Sequence, residues 1–166
     1  AMPTARFFSC ALSIAACTLL GACGGGGSDA DDDLGGGGGG GGFTPTCNTG
    51  AYAAGTVELP TSAQIGAYAG SYAGDEGHYD ASFNFVKSGS ATLVVATDGR
   101  LSYRGTDYAP SSVCIDKVAG PYGKIMYFLA GTSGHFDVSD RVDAVLGQAW
   151  GVSPADGATI FTNGRK

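Results

Sequence analysis

Thr92-Leu93-Val94-Val95-Ala96-Thr97-Asp98-Gly99-Arg100-Leu101-Ser102-Tyr103 decides the fold class. Two short runs rich in β-branched and apolar residues flank an Asp-Gly pair, and Asp-Gly readily takes the positive φ angles that a tight hairpin turn needs. Residues 92–97 and 101–103 are therefore expected to be antiparallel strands. Working outward, the same grammar recurs: residues 81–86 alternate, with Phe83 and Phe85 on one face and Ser82 and Asn84 on the other. Residues 112–118 and 124–129 pair across Gly120, Pro121 and Gly123, and 135–138 and 159–161 add two strands. Residues 60–64 form a turn or one helical turn, leading into a strand over 65–72 that places Tyr68 and Tyr72 on one face.

One segment breaks the pattern. Ser139 suits a helix N-cap, Asp140 suits a first turn, and Val142, Val145, Leu146, Ala149 and Trp150 fall at helical spacing before Gly151. A short helix over 139–150 is expected, weakened by Gly147; the alternative is a strand over 142–150 with the same residues split between faces. On either choice the fold class is mainly β, a small antiparallel meander curled into a sandwich or barrel.

Ahead of this domain the chain has a different character. Arg6 is the only charged residue before Asp29, and an apolar run over 7–20 follows it. That run is short for a bilayer span, which takes about 20 apolar residues, and it ends in Leu20, Gly21, Ala22 and Cys23. Leucine three places before a cysteine, with small residues between, resembles the lipobox of bacterial lipoproteins; the resemblance covers residues 1–23. It implies a signal peptide over 1–22, acylation of Cys23 by palmitate-type chains, and a membrane partner reached through that lipid anchor. In that class an Asp after the cysteine retains the protein at the inner membrane. Gly24 here implies the outer membrane, facing the periplasm or the cell surface.

Residues 23–46 then form a tether: Gly24 to Gly27, an acidic patch, and eight glycines from Gly35 to Gly42. Glycine-rich chain cannot recover its ordering entropy by burial, so disorder is expected, with a span of roughly 25 to 30 Å. The glycines satisfy GxGxxG trivially, without the strand and helix a dinucleotide site needs. Asp29, Asp31 and Asp33 begin like a calcium loop, but Gly40 stands where the bidentate Glu belongs.

Residues 47–166 are expected to be one β-rich globular domain. The chain has a net charge of -6, but Arg6 and the four tether aspartates lie outside residues 43–166, which hold 11 acids against 8 bases. With no basic run, nucleic acid is excluded as a partner, as is electrostatic capture by anionic headgroups. Cys47 and Cys114 remain after the tether, and an exported chain in an oxidising compartment is expected to join them as a disulfide.

Chemistry is sparse. Ser133 and His135 do not fit GxSxG, and a turn into a strand explains them better. Asp75, Glu76, His78 and Asp80 are the densest polar cluster and the weak candidates for a metal, set against an exposed acidic hairpin tip; no metal or cofactor is expected. Tyr72, Tyr79 and Trp150, beside glycine-rich loops, are the candidate binding face, set against the simpler role of core rings. The expected function is an envelope or surface interaction module, not an enzyme, with a protein or glycan partner. The alternative is a β-barrel lipoprotein holding a small ligand inside, and a filled interior or a large apolar cavity distinguishes the two.

Overall fold

The computed structural model describes residues 42–166, so the signal peptide, Cys23 and most of the tether lie outside the described residues. After a 3-10 turn at Thr49–Ala51 come β1 (Val57–Glu58), α1 (Ser62–Tyr68), β2 (Gly70–Tyr79), β3 (Phe85–Val95), β4 (Leu101–Tyr103) and β5 (Thr106–Tyr108). Then follow β6 (Ser112–Asp116), β7 (Ile125–Ala130), β8 (Gly134–Asp143), β9 (Gly147–Val152) and β10 (Ile160–Arg165). All ten strands form one antiparallel sheet in the order β1-β6-β7-β8-β9-β10-β2-β3-β4-β5. It consists of two meanders, β2 to β5 and β6 to β10, joined where the last strand pairs with β2. The domain is mainly β, as the strand grammar implies, and the sheet stays open. Its edges, β1 and β5, are two and three residues long, which gives little template for pairing with another chain.

Alternation sorts the side chains. On β7, Met126, Phe128 and Ala130 are buried while Ile125, Tyr127 and Leu129 face outward. The sheet curls until Tyr103 on β4 meets Phe136 on β8, ring centroids 4.9 Å apart, and Phe161 on β10, 5.7 Å apart. Small inner residues make this possible: a Cβ at Gly74 or Gly164 would lie 2.7 Å and 2.8 Å from the Phe161 ring. Fully buried Leu93, Leu101, Ile115, Met126, Phe128 and Phe136 fill the rest of the interior. One end is covered by α1, which contributes Ile65 and Tyr68 to the core. Across the sheet, Glu76 on β2 sits buried, bonded to Tyr103 and Arg104.

Three local expectations are corrected. The 139–150 segment is a hairpin, neither a helix nor one strand. Buried Ser139 donates to the Tyr122 carbonyl rather than capping a helix, and Asp143 accepts the Val145 and Leu146 N–H groups at 2.7 and 2.9 Å. Gly147, at φ 77°, completes the turn, and β9 gains ladder partners on both sides. Residues 81–84 are a turn, with Phe83 at φ 60° and 86% exposed. Asp80 accepts from Ser82 and Asn84 N–H, and this local Asx geometry outcompetes the alternation of the phenylalanines. Residues 62–68 are helix because Thr61 and Gln64 form a reciprocal capping box, so Tyr68 and Tyr72 do not share a strand.

The Asp98-Gly99 hairpin forms as read, with Gly99 at φ 93° and Asp98 accepting from Arg100 N–H. The pairing of β6 with β7 is also as expected. Phe43, ahead of the expected domain start at 47, already packs on the core beside Gly99 and Ile65. Cys47 and Cys114 are disulfide-bonded, Cα atoms 5.0 Å apart.

Candidate functional site

The outer face of the sheet carries the arrangement richest in chemistry. Cross-strand register lines up Cys114, Tyr127, Asp137 and Trp150 in one row over β6 to β9. The adjacent row holds Leu129, His135, Val152 and Ile160. Cross-strand neighbours on one face lie about 5 Å apart, so these side chains touch. Tyr52, held over the sheet by the disulfide-stapled N-terminal segment, stacks on Tyr127 with ring centroids 5.0 Å apart. The Tyr127 hydroxyl donates to Asp116 at 3.0 Å.

Beside this row lies a shallow groove of about 160 Å³, with Tyr79, His135, Trp150 and Thr162 among its lining residues. Leu146, Val152 and Ile160 supply an apolar floor. The Tyr79 ring is half exposed and braced edge-on by Phe85 at 5.9 Å. A pair of amphipathic rings, an imidazole and a hydroxyl over an apolar floor can grip a ligand that is apolar on one surface and hydroxylated at its edges.

Asp137 is the electrostatic centre of the row. Burial among rings pushes its carboxyl up to about 6, despite the opposing influences of His135 and the Trp150 indole N–H; Asp116 adds repulsion. Burial raises the Tyr127 and Tyr52 hydroxyls too, assisted by Asp116 and Asp137 respectively. Because Asp137 holds its proton more tightly folded than unfolded, stability falls as pH rises from about 4 to about 6. Asp137→Asn should therefore flatten that stretch of the profile and raise the melting temperature at pH 7.5 by a few degrees. Thermal unfolding across pH checks this, and an unchanged slope would place the charge in water.

The other candidates are dispersed by alternation. Tyr72 points inward and is a core ring, 1% exposed, donating to the Tyr68 carbonyl, so it is not part of the binding face. Tyr79 and Trp150 do meet at one groove. Of the weak metal candidates, Asp75 faces outward and pairs with Lys87 at 2.6 Å, while Glu76 points inward, His78 is exposed and Asp80 is occupied in its turn. They make neither a metal cluster nor a simple exposed acidic tip. Among the described residues no three His, Cys, Asp or Glu side chains converge as metal ligands.

Glu76 is buried and accepts Arg104 Nε and Nη2, both at 2.6 Å. Burial disfavours its charge, but Arg104 and the Tyr103 hydroxyl outweigh that and hold the carboxyl below its ordinary range. A carboxylate so fully occupied is a strut, not an acid or base in waiting. Asp137 and the Tyr52–Tyr127 stack had no signal in the sequence beyond alternation, because their neighbours come from strands distant in the chain.

The class defined by these features is an open, curled antiparallel β-domain with a core of buried apolar side chains and an aromatic outer groove. In comparisons with known proteins, no family model, no curated protein and no solved structure matches the chain.

Proposed function

We propose that the chain is an outer-membrane lipoprotein, anchored through acylated Cys23, whose β-domain is an interaction module that binds an envelope glycan along the Tyr79–Trp150 groove. The observation that carries the reading is the pairing of a core occupied by buried apolar side chains with an outward aromatic groove, where Tyr79 and Trp150 stand on the outside. A saccharide suits the groove because its C–H faces lie against aromatic rings and its hydroxyls reach His135 and Thr162. A protein partner would need a face of about 800 Å², far larger than this groove. The Cys23 anchor and the outer-membrane placement rest on the lipobox resemblance and on Gly24.

The experiment compares the parent chain with Cys23→Ala and Trp150→Ala. Cys23→Ala should move the protein from the membrane to the soluble fraction with its circular dichroism unchanged. Trp150→Ala should stay on membranes and lose at least tenfold in retention on immobilised peptidoglycan and lipopolysaccharide, a loss of about 1.4 kcal/mol. Sedimentation of the Cys23→Ala protein with outer membranes would remove the anchor. Retention of Trp150→Ala equal to the parent would remove the groove as the binding face.

A further inference from the structure

We infer that the domain does not hang freely from its anchor but docks end-on against the same bilayer, inserting the apolar tips of two loops. The reasoning starts from topology. Because neighbouring strands are antiparallel, the β6–β7 and β8–β9 connections emerge at one end of the sheet. The first carries Val118, 80% exposed, and Tyr122; the second carries Val145, 78% exposed, with Val142 beside it at the end of β8. An aliphatic side chain left in water gains nothing there, and three valines with a tyrosine on one end of a small domain form a patch rather than scattered residues.

The two loops are one ridge. Lys124 N–H donates to Asp140 Oδ1 at 2.9 Å, Asp140 N–H returns to the Lys124 carbonyl at 3.1 Å, and Ser139 donates to the Tyr122 carbonyl. Asp143 pins the second tip through Val145 and Leu146 N–H. The valines are thus presented by backbone already fixed, which reduces the ordering cost of docking.

What covers the ridge follows from where the anchor chain arrives. The described chain begins against Phe43, which packs beside Ile65 of α1 and Gly99 of the β3–β4 turn. The same helix reaches the ridge, Tyr68 Oη donating to the Lys124 carbonyl at 2.9 Å. Seven helical residues, Ser62–Tyr68, span about 10 Å, so the tether's entry and the ridge flank one short helix at one end of the domain. Residues 24–41 are all that separates Phe43's neighbour Gly42 from Cys23. A link of that length holds the domain at an effective concentration on the order of millimolar to the surface. Apolar loop contacts too weak to recruit a free protein then suffice to orient a tethered one. Lys117, Lys124 and Arg141 flank the tips, but Asp140 and Asp143 stand among them, so the contact is apolar insertion rather than electrostatic capture.

This inference rests on the Cys23 anchor. The test uses the full acylated chain in phosphatidylethanolamine/phosphatidylglycerol vesicles, with an environment-sensitive fluorophore on Val145→Cys or on Phe83→Cys at the opposite end. Cys47 and Cys114 are paired, so each variant offers one thiol on the domain. The label at 145 should be quenched several-fold more by nitroxide-bearing lipid than the label at 83, and Val118→Ser with Val142→Ser should abolish the difference. Equal access of both labels to an aqueous quencher, on protein that floats with the vesicles, overturns docking and leaves the anchor standing. Failure to float overturns the anchor and docking with it. Shielding of position 145 that appears without lipid and grows with protein concentration would assign the ridge to a second copy and overturn the bilayer as its occupant.

Discussion

Cys47→Ser should cost the domain about 4 kcal/mol, the largest single loss foreseen for it. The disulfide spans a sequence separation of 67 and ties the domain's entry to β6, next to the edge strand β1. A loop of that length is credited with about 4 kcal/mol of lost denatured-state entropy, within the 2 to 5 kcal/mol usual for native bridges in small exported domains. The bond also secures a sector of native contacts. Val113 N–H donates to the Thr46 carbonyl at 2.7 Å, Asn48 N–H to Ser112 Oγ at 2.9 Å, and Tyr52 rests on Tyr127. In a domain of this size each kcal/mol is worth about 3 to 6 °C, so the midpoint should drop by about 15 °C. Cys47 is the better position to change, because it lies in the half-buried entry segment whereas Cys114 is fully buried. Thermal unfolding of the parent in reductant should converge on the Cys47→Ser value. A parent whose midpoint ignores reductant would mean the staple contributes nothing.

Arg104→Ala should cost about 3 kcal/mol, because it strands a charge where water does not reach. The Glu76 side chain is 6% exposed and the Arg104 side chain 45%. The exposed half of the guanidinium is screened, which places the loss at the low end for a broken buried pair. Glu76→Gln together with Arg104→Ala should recover much of it, since the amide oxygen still accepts from the Tyr103 hydroxyl and no charge is left buried. The pH dependence has a defined sign. A carboxyl held below its ordinary value of 4.5 stabilises the fold fully above that pH, and the stabilisation is lost as pH falls through its lowered folded value. Urea unfolding at pH 7 and at pH 3 should thus show the gap between parent and Glu76→Gln closing in acid. A double variant no better than Arg104→Ala alone would locate the loss in packing by the guanidinium stem.

On the proposed reading, the groove and the ridge serve different tasks. The ridge lies at the end served by α1 and the tether, while the Tyr79–Trp150 groove lies on the wall formed by β2 and β8 to β10. End-on docking would leave that wall open to the compartment, which fits a module that holds a partner beside the membrane.

Two of the three residues read as a candidate face come together in the structure. Tyr79 and Trp150 belong to the groove; Tyr72 is core, because strand parity turns it inward and proximity to glycine did not reveal that. The capping box at Thr61 and Gln64 stands in the sequence as T-x-x-Q, and its two reciprocal hydrogen bonds outweigh the alternation of Tyr68 and Tyr72. Asp137 could not be singled out, since its character comes from Tyr127 on β7 and Trp150 on β9, each at least 10 residues away along the chain.

By itself the sequence determined what depends on neighbours a few residues apart. The Asp98-Gly99 turn, the runs that became β4, β6 and β7, and the mainly β class all follow from local turn chemistry and period-two patterning. The two cysteines left after the tether, read with the expectation of an oxidising compartment, also pointed to the Cys47–Cys114 bond. Only the tertiary structure decided whether residues 139–150 were helix or hairpin, because their apolar spacing serves either form. The ladder bonds from β8 and β10 on both sides of β9 tip that balance. The pairing of β10 with β2, which brings the two meanders into one sheet and gathers Tyr79 to Trp150, was likewise a decision of the whole fold. Its two strands are more than 80 positions apart, and only the shared core around Phe161 makes closing that distance favourable.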